Sequence, residues 1–354
     1  MEVKNSENEV YLKGILIPIL MKKQQLAIDL GTANSLVIDG TGVIVVREPT
    51  VVAYSRNDNK IIAVGTEAKS MLGKAPEGII VKRPMKQGVI ASFQLTKALL
   101  RHLIKKSSSR SIFTKPEVMI SVPAGLTSVE ERAVIEAASE AGASKIYLLP
   151  EPIAAAIGAK LPVSSTSGSM IANMGGGTAE IAVISLNGLV KYASKRLAGD
   201  AINESIQDFF KEQYNLIIGE LMAERVKIDI GSAIAYENPY KMDVTGSDAL
   251  TGQPKSVSVS SNDILPAILT VCKQIITSIQ NVLEETPPEL ASDIIDRGIV
   301  LSGGTALIHD IDVLFSDALG VPVHVVEEPL TAVVEGVAEG LRHMDILKRN
   351  LKQN

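Results

Sequence analysis

SMIANMGGGTAEIAVIS, residues 169–185, reads as a buried strand, a turn of three glycines and a second buried strand. Apolar residues lie on both sides of the turn, so the hairpin is expected inside a sheet with only its tip exposed. The last polar residue before the turn is Asn173. A strand end that opens onto a phosphate and its metal ion usually carries a carboxylate, so the asparagine raises the question of what chemistry this turn supports.

The same plan occurs earlier in the chain. QLAIDLGTANSLVID, residues 25–39, is again strand, glycine-containing turn and strand, and Asp29 precedes Asn173 by 144 residues. Helices and further strands follow each hairpin. The sequence therefore predicts an α/β fold of two related domains, each with a glycine hairpin that faces a shared cleft.

Helix signals support this architecture in both halves. Residues 127–142 open with a capping-box spacing and stop at a glycine, and strand-like runs flank them. In the second half, strands at 298–304 and 321–329 enclose a helix that the pattern predicts over 305–320. A closing amphipathic helix follows near residues 333–344.

Three turns offer glycine backbone to a ligand: the first glycine turn (Gly31–Asn34), the second (Gly175–Thr178) and the third (Ser302–Thr305). Consecutive N–H groups in such a turn form an anion-binding nest. One such turn alone is more typical of a structural turn, but a pair at the heads of two matching domains indicates phosphate binding. The third turn follows a strand and suits close approach to a sugar or base. Neither a P-loop nor a Rossmann glycine motif is present.

Composition excludes several classes of protein. Hydrophobic residues make up 46% of the chain but aromatics only 3%, so its cores are built from branched aliphatic residues and alanine. A single cysteine, Cys272, excludes an internal disulfide framework, and the scattered histidines lack the spacing of a zinc site.

At this point the residues match a known family. The chain resembles the actin-like ATPase superfamily and, within it, the MreB/Mbl family of bacterial actins. The matching stretches run in the family's order from about residue 25 to 345 and include IDLGTANSLV, EPTVVA, EPIAAAIGAKLPV, GGGTAEIAVISLNG, IGELMAERVK, GIVLSGGTAL and VPVHVVEEPLTAV.

The resemblance implies ATP and Mg²⁺ as cofactors. It implies that Glu151 and Thr178 position the attacking water, and that Asp29 and, through a water, Asn173 hold the metal. The residues implied to hold the nucleotide are Asp29, Gly31, Thr32, Ala33, Asn34, Gly175, Gly176, Gly177, Thr178, Ala179, Glu224, Lys227, Gly303, Gly304, Thr305, Ala306 and Leu307.

This chain departs from the family's pattern at several of these positions. Asn173 stands where the second phosphate loop has an aspartate, and Thr305 stands where the adenosine motif has its third glycine, so its side chain is expected close to the nucleoside. Pro150 replaces an acid, and Gln87 and Ser92 replace aspartates. The sequence therefore predicts ATP binding with slow hydrolysis. The alternative is that Asn173 is tolerated and hydrolysis is ordinary.

A basic stretch carries a second signal. From residue 78 to 116 there are nine basic and no acidic residues, while the remaining 26 basic and 40 acidic residues leave a balance of −14. Within it, the polar loop 107–116 holds Ile112 and Phe113, an apolar pair suited to insertion into an anionic membrane surface. The alternative is that Phe113 packs under the loop. Nucleic acid is not indicated, because aromatic residues do not alternate with the basic ones.

The sequence divides into an N-terminal extension (1–20), expected to be poorly ordered or a mis-assigned start, a first domain (21–168), a second domain (169–345) and a tail (346–354). The C-terminal helix of the second domain is expected to pack back on the first. Residues 10–20 are apolar but are too short and too broken for a membrane-spanning helix.

The resemblance implies filaments of the chain itself on the inner face of the cytoplasmic membrane. It further implies partners among the membrane proteins of cell-wall elongation, and a role in rod shape. The alternatives are a non-hydrolysing ATP-binding scaffold or regulator of a sister filament protein, and a small-molecule kinase on the same fold.

Overall fold

The structure, a computed structural model, describes residues 9–12, 15–18, 24–107 and 115–344. Two short strands, β1 (Glu9–Leu12) and β2 (Ile15–Pro18), pair antiparallel ahead of the first domain. Both strands lie within the N-terminal extension, residues 1–20. Within the described residues, no helix is both long and apolar enough to cross a bilayer.

The first domain is built on a five-stranded sheet. Its elements in chain order are β3 (Gln25–Leu30), β4 (Asn34–Asp39), β5 (Ile44–Pro49), β6 (Val52–Ser55), β7 (Ile61–Val64), α1 (Thr66–Ser70), β8 (Ile79–Lys82), β9 (Met85–Lys86), β10 (Val89–Ile90), α2 (Phe93–Ser107), β11 (Glu117–Val122), α3 (Ser128–Ala141), β12 (Lys145–Pro150) and α4 (Glu151–Gly158). The sheet order is β12-β11-β3-β4-β5, and a small sheet, β7-β6-β8, stands beside it.

The second domain repeats the plan. Its elements are β13 (Ser169–Met174), β14 (Ala179–Ser185), β15 (Gly188–Lys195), α5 (Gly199–Tyr214), β16 (Leu216–Ile217), α6 (Glu220–Ile230), β17 (Lys241–Asp248), β18 (Pro254–Ser260), α7 (Ser261–Glu284), α8 (Pro288–Arg297), β19 (Ile299–Ser302), a 3-10 helix (Gly304–Leu307), α9 (Ile311–Leu319), β20 (Val323–Val325) and α10 (Ala332–Arg342). The sheet order is β15-β14-β13-β19-β20, again with a three-stranded sheet, β16-β17-β18.

The two large sheets have matching topology. β3 lies between antiparallel β4 and parallel β11, just as β13 lies between antiparallel β14 and parallel β19. Both glycine hairpins therefore start from the central strand of a sheet, and their turns project from the carboxyl ends of those strands. The predicted α/β fold of two related domains is confirmed.

Local sequence signals explain both ends of α3. Thr127 and Glu130 form the predicted capping box of α3, and Gly142 ends that helix with a left-handed φ of 118°. The single helix predicted over 305–320 is wrong, because the chain forms a 3-10 helix and then α9. The break lies at Asp310, whose φ is 55°, and the adjacent His309 carbonyl accepts a hydrogen bond from the Ala233 N–H at 2.8 Å.

Two helices, α4 and α10, lie between the large sheets and pack closely against each other. They share one core cluster with apolar residues of both sheets, including Met119 of the first and Ile171 of the second. α10 also contacts β3, β4 and β11 of the first domain. The pair therefore joins the two domains at the base of the cleft, and α4 begins at Glu151, a candidate site residue.

Candidate functional site

The first and second glycine turns, which lie in different domains, touch each other. A Cβ built on Gly176 would lie 2.8 Å from the Cβ of Ala33, and one built on Gly177 would lie 2.6 Å from Thr32 Oγ1. Any side chain at either glycine would push the turns apart. Thr32 Oγ1 in turn accepts a hydrogen bond from the Gly88 N–H at 3.1 Å. The structure thus brings together the two turns that the sequence placed at one cleft.

Three acidic side chains, the buried Glu151 and Glu180 and the half-buried Asp29, form a carboxylate cluster next to these turns. Ser121 Oγ donates to Asp29 Oδ1 at 2.7 Å, and burial raises the pKa of Asp29 to about 6. Burial, then the charges of Glu180 and Asp29, raise the pKa of Glu151 well above its usual range. The carboxyl groups of this cluster therefore hold their protons to a higher pH than exposed carboxyl groups do.

Asn173 borders this cluster. Its Nδ2 donates to Glu151 Oε2 at 3.4 Å, and this bond partly offsets the rise in the pKa of Glu151. Its Oδ1 is buried and has no hydrogen-bond partner within the described part of the chain. A buried amide oxygen without a partner is costly, which indicates that this position faces a ligand or a water in the working protein.

These donors fit a hydrated divalent cation. Among the described residues, no three His, Cys, Asp or Glu side chains converge closely enough to hold a metal by themselves. Mg²⁺ needs fewer protein ligands, because it keeps several waters and binds one or two carboxylates together with substrate phosphates. The Asp29 carboxylate and the partnerless Asn173 oxygen suit that arrangement.

Glu180 is the site residue that sequence reasoning missed. It lies opposite Asn173 in the β13–β14 pair and is fully buried. Ser194 Oγ donates to its Oε1 at 2.6 Å, and the Ala124 N–H, from the first domain, donates to its Oε2 at 3.0 Å. The sequence did contain a signal that could have identified Glu180: it is the one charged residue in the mostly apolar strand AEIAVIS.

The pKa of Glu180 predicts a pH dependence of stability. Burial raises that pKa from 4.5 to about 7, so the folded state binds a proton that the unfolded state releases between those values. Stability should therefore fall as pH rises from about 4.5 through 7, by an amount on the order of 3 kcal/mol at most. Glu180→Gln removes the charge, while its amide oxygen can accept from the Ala124 N–H and its amide NH2 can donate to Ser194 Oγ. We expect its thermal unfolding temperature without nucleotide to fall less between pH 5 and pH 8.

A matched control separates this effect from general titration. Glu289 is exposed, and Glu289→Gln should follow the native profile. If Glu180→Gln also follows the native profile, Glu180 does not carry the dependence.

The residues implied to contact a nucleoside gather at one corner of the cleft. Glu224 and Lys227 lie one turn apart on α6, and Lys69 Nζ of the first domain pairs with Glu224 at 3.0 Å. Gly303 packs so tightly that a Cβ would lie 2.3 Å from the Met174 carbonyl oxygen. Leu307, by contrast, is 53% exposed.

Thr305 does not face the open cleft. Its side chain is buried, and Oγ1 donates to the Gly175 carbonyl at 2.8 Å. The departure from glycine therefore adds a bond between the third and second glycine turns. The two residues that the resemblance implies to be catalytic, Glu151 and Thr178, lie near the second glycine turn. Thr178 is buried against Gly88, and Glu151 accepts a hydrogen bond from Asn173.

Two sheets of matching topology, joined by α4 and α10 and opening onto two facing glycine turns, define the actin-like class of proteins. A sequence model of the family described as MreB/Mbl protein matches residues 23–349, and the chain belongs to this family.

Individual relatives of this chain support the family assignment. The chain is 42% identical over 334 residues to the cell shape-determining protein Mbl of Bacillus cereus, an alignment that covers 94% of this chain and 100% of that one. It is 45% identical over 332 residues to the cell shape-determining protein MreB of Escherichia coli strain K12, covering 92% and 95%. MreB5 of Spiroplasma citri bound to AMPPNP superimposes with a TM-score of 0.88 at 33% identity, covering 94% and 99%.

Proposed function

We propose that this protein is an ATP-binding, actin-like cytoskeletal subunit that assembles with its own copies into filaments and maintains rod cell shape. The observation that carries the proposal is the contact between the two glycine turns, one from each domain. A nucleoside triphosphate bound to both turns would hold the domains in one relative position. The names of the relatives, cell shape-determining proteins, and the AMPPNP and ADP bound to MreB5 support it.

In this proposal each part of the site has a role. Backbone N–H groups of the two turns bind the phosphates, and the α6 corner with the main chain of residues 303–307 binds the nucleoside. Asp29, and Asn173 through a water, hold Mg²⁺, which when bound neutralises phosphate charge. Glu151 and Thr178 orient the attacking water. Because Asn173 lacks the charge of an aspartate, we propose that hydrolysis is slow.

Assembly tests the proposal. We expect the protein to pellet in high-speed centrifugation with ATP and Mg²⁺, and to pellet much less without nucleotide. Gly176→Ala, which forces the turns apart, should weaken ATP binding severalfold and reduce ATP-dependent pelleting. Gly188→Ala is the control, because its Cβ would make only an ordinary contact, 3.6 Å from the Ser185 carbonyl oxygen.

The outcomes separate the candidate functions. A native protein that binds no ATP would contradict the proposal. ATP binding without pelleting of the protein alone would favour the alternative, a regulator of a sister filament protein, since that role needs the site but not self-assembly.

We further propose that the filaments lie on the inner face of the cytoplasmic membrane, with wall-elongation membrane proteins as partners. Ile112 and Phe113, the predicted insertion pair, lie outside the described residues. The structure supports the proposal through α2, which precedes this loop in the chain and carries the exposed Lys105 in its last turn. Part of the basic stretch is neutralised: Lys106 pairs with Glu48, and Lys97 pairs with Glu140.

Vesicle sedimentation tests membrane binding. We expect the protein to bind vesicles rich in phosphatidylglycerol more than vesicles of phosphatidylcholine, because basic side chains are attracted to anionic headgroups. The double variant Ile112→Ser, Phe113→Ser should lose more than half of the bound fraction. Leu250→Ser removes an exposed apolar side chain from the second domain and serves as the control. Unchanged binding by the double variant would refute loop insertion.

A further inference from the structure

The carbonyl oxygen of Gly175, the first residue of the second glycine turn, is held by two other elements. Thr305 Oγ1 donates to it at 2.8 Å, and the Gly199 N–H at the start of α5 donates at 3.2 Å. Lys227 Nζ on α6 donates to the Gly199 carbonyl at 2.9 Å. One atom of the second turn is thus linked to the third turn, to α5 and to α6.

This junction is closely packed. A Cβ on Gly199 would lie 3.0 Å from Thr305 Oγ1 and 3.1 Å from Lys227 Nζ, so the position accepts no side chain without a shift. The Thr305 side chain is almost fully buried. Its hydroxyl is therefore shielded from solvent and bonded to the Gly175 carbonyl.

The second turn needs such support because it contains three consecutive glycines, which lose more conformational entropy on ordering than other residues. The other main-chain bonds of this turn run from Gly175 N–H to the Thr178 carbonyl and from Asp200 N–H to the Gly176 carbonyl, each at 2.8 Å. The Thr305 bond adds a side-chain link between the second turn and the nucleoside corner, which is formed by Glu224, Lys227 and the third turn. A loop that is already ordered binds its ligand at a lower entropic cost.

We propose that Thr305 is a positioning residue that couples the nucleoside corner to the second glycine turn, and so strengthens binding of the phosphate part of a nucleoside triphosphate. This inference rests on the proposed nucleotide-binding function and adds a residue-specific role to it. A glycine at position 305 has no side chain that could form this bond. In this chain the Thr305 hydroxyl ties the second glycine turn to the third turn, which lies at the nucleoside corner.

Three variants test the role. Thr305→Val keeps the shape but removes the hydroxyl, Thr305→Ser keeps the hydroxyl, and Thr305→Gly restores the residue of the family's motif. We expect Val and Gly to raise the dissociation constant for ATP with Mg²⁺, measured by calorimetry, about five- to tenfold, the usual effect of losing one neutral hydrogen bond. Ser should stay within about twofold of the native protein.

Binding of adenosine distinguishes a role of Thr305 in positioning the phosphate-binding turn from general damage to the nucleotide site. Because it has no phosphate, its binding, measured by competition against labelled ATP, should change less than twofold in Thr305→Val. The control is Thr286→Val, which removes a buried hydroxyl bonded to the Val282 carbonyl on α7 and should leave ATP binding unchanged. Thr305→Gly serves as the deciding variant if Thr305→Val does not fold.

The outcomes are distinct. The inference is overturned if Thr305→Val and Thr305→Gly bind ATP as tightly as the native protein does. It is also overturned if Thr305→Val loses affinity for ATP and adenosine equally, or if Thr305→Ser binds ATP as weakly as Thr305→Val. In each of these cases the proposed ATP binding of the native protein still stands. If the native protein itself binds no ATP, the proposed function fails and the inference fails with it.

Discussion

Asn173→Asp is expected to raise the rate of ATP hydrolysis with Mg²⁺ about tenfold. The change puts a negative charge on a buried side chain that contacts Glu151 and whose amide oxygen has no partner among the described residues. Coulomb attraction between unit charges at 4 Å is on the order of 4 kcal/mol at a mid-range dielectric, and desolvation removes much of it. A net gain of about 1.4 kcal/mol in the transition state is a tenfold change in rate.

The same charge should destabilise the protein without ligands. The charges of Glu180 and Asp29 already add to the effect of burial in raising the pKa of Glu151, and a carboxylate at position 173, in contact with Glu151, would add further repulsion. We therefore expect the thermal unfolding temperature of Asn173→Asp to be below native without Mg²⁺ and ATP, and to recover most of the difference when both are added. Phosphate release and thermal unfolding measure the two effects on one preparation.

Asn203 supplies a matched control. It lies on α5, is equally buried and also has an Oδ1 without a partner among the described residues. Asn203→Asp should destabilise the protein without raising phosphate release. A rate for Asn173→Asp equal to native would remove the proposed slow turnover and make Asn173 a tolerated variation.

Gly336→Ala is expected to lower the free energy of unfolding by about 3 kcal/mol or more. A Cβ on Gly336 of α10 would lie 1.8 Å from the Ala154 carbonyl oxygen of α4, and one on Gly158 of α4 would lie 1.8 Å from the Ala332 carbonyl oxygen of α10. Backbone atoms cannot rotate away as a side chain can, so the two helices must separate. The loss corresponds to a fall in unfolding temperature on the order of 5 °C.

The separation should also reach the site, because α4 starts at Glu151. We expect Gly336→Ala to bind ATP more weakly as well as to unfold at a lower temperature. Gly78→Ala is the control: a Cβ there meets no atom within 4 Å, and its stability should be native. Native stability of Gly336→Ala would show that the α4–α10 packing tolerates a side chain.

Much of the fold could be predicted from short stretches of sequence. The hairpins at 25–39 and 169–185 formed as predicted because apolar runs on both sides of a glycine turn are local signals, and α3 followed its capping box. The helix predicted over 305–320 failed for a non-local reason: the His309 carbonyl bonds to Ala233, which lies far away in the chain. The resemblance to actin-like proteins marked Asn173 and Glu151, which the structure does bring together.

By itself, the sequence determined two related α/β domains, each with a glycine turn at the head of a central strand, since glycine turns, helix caps and apolar runs are local signals that act over a few residues. Only the tertiary structure decided that Glu180 is buried between Ser194 and the Ala124 N–H of the other domain, and that Thr305 bonds to a carbonyl 130 residues away. It also decided that Gly158 and Gly336 let two helices touch backbone to backbone. These contacts depend on how the two domains close on each other, which no local pattern encodes.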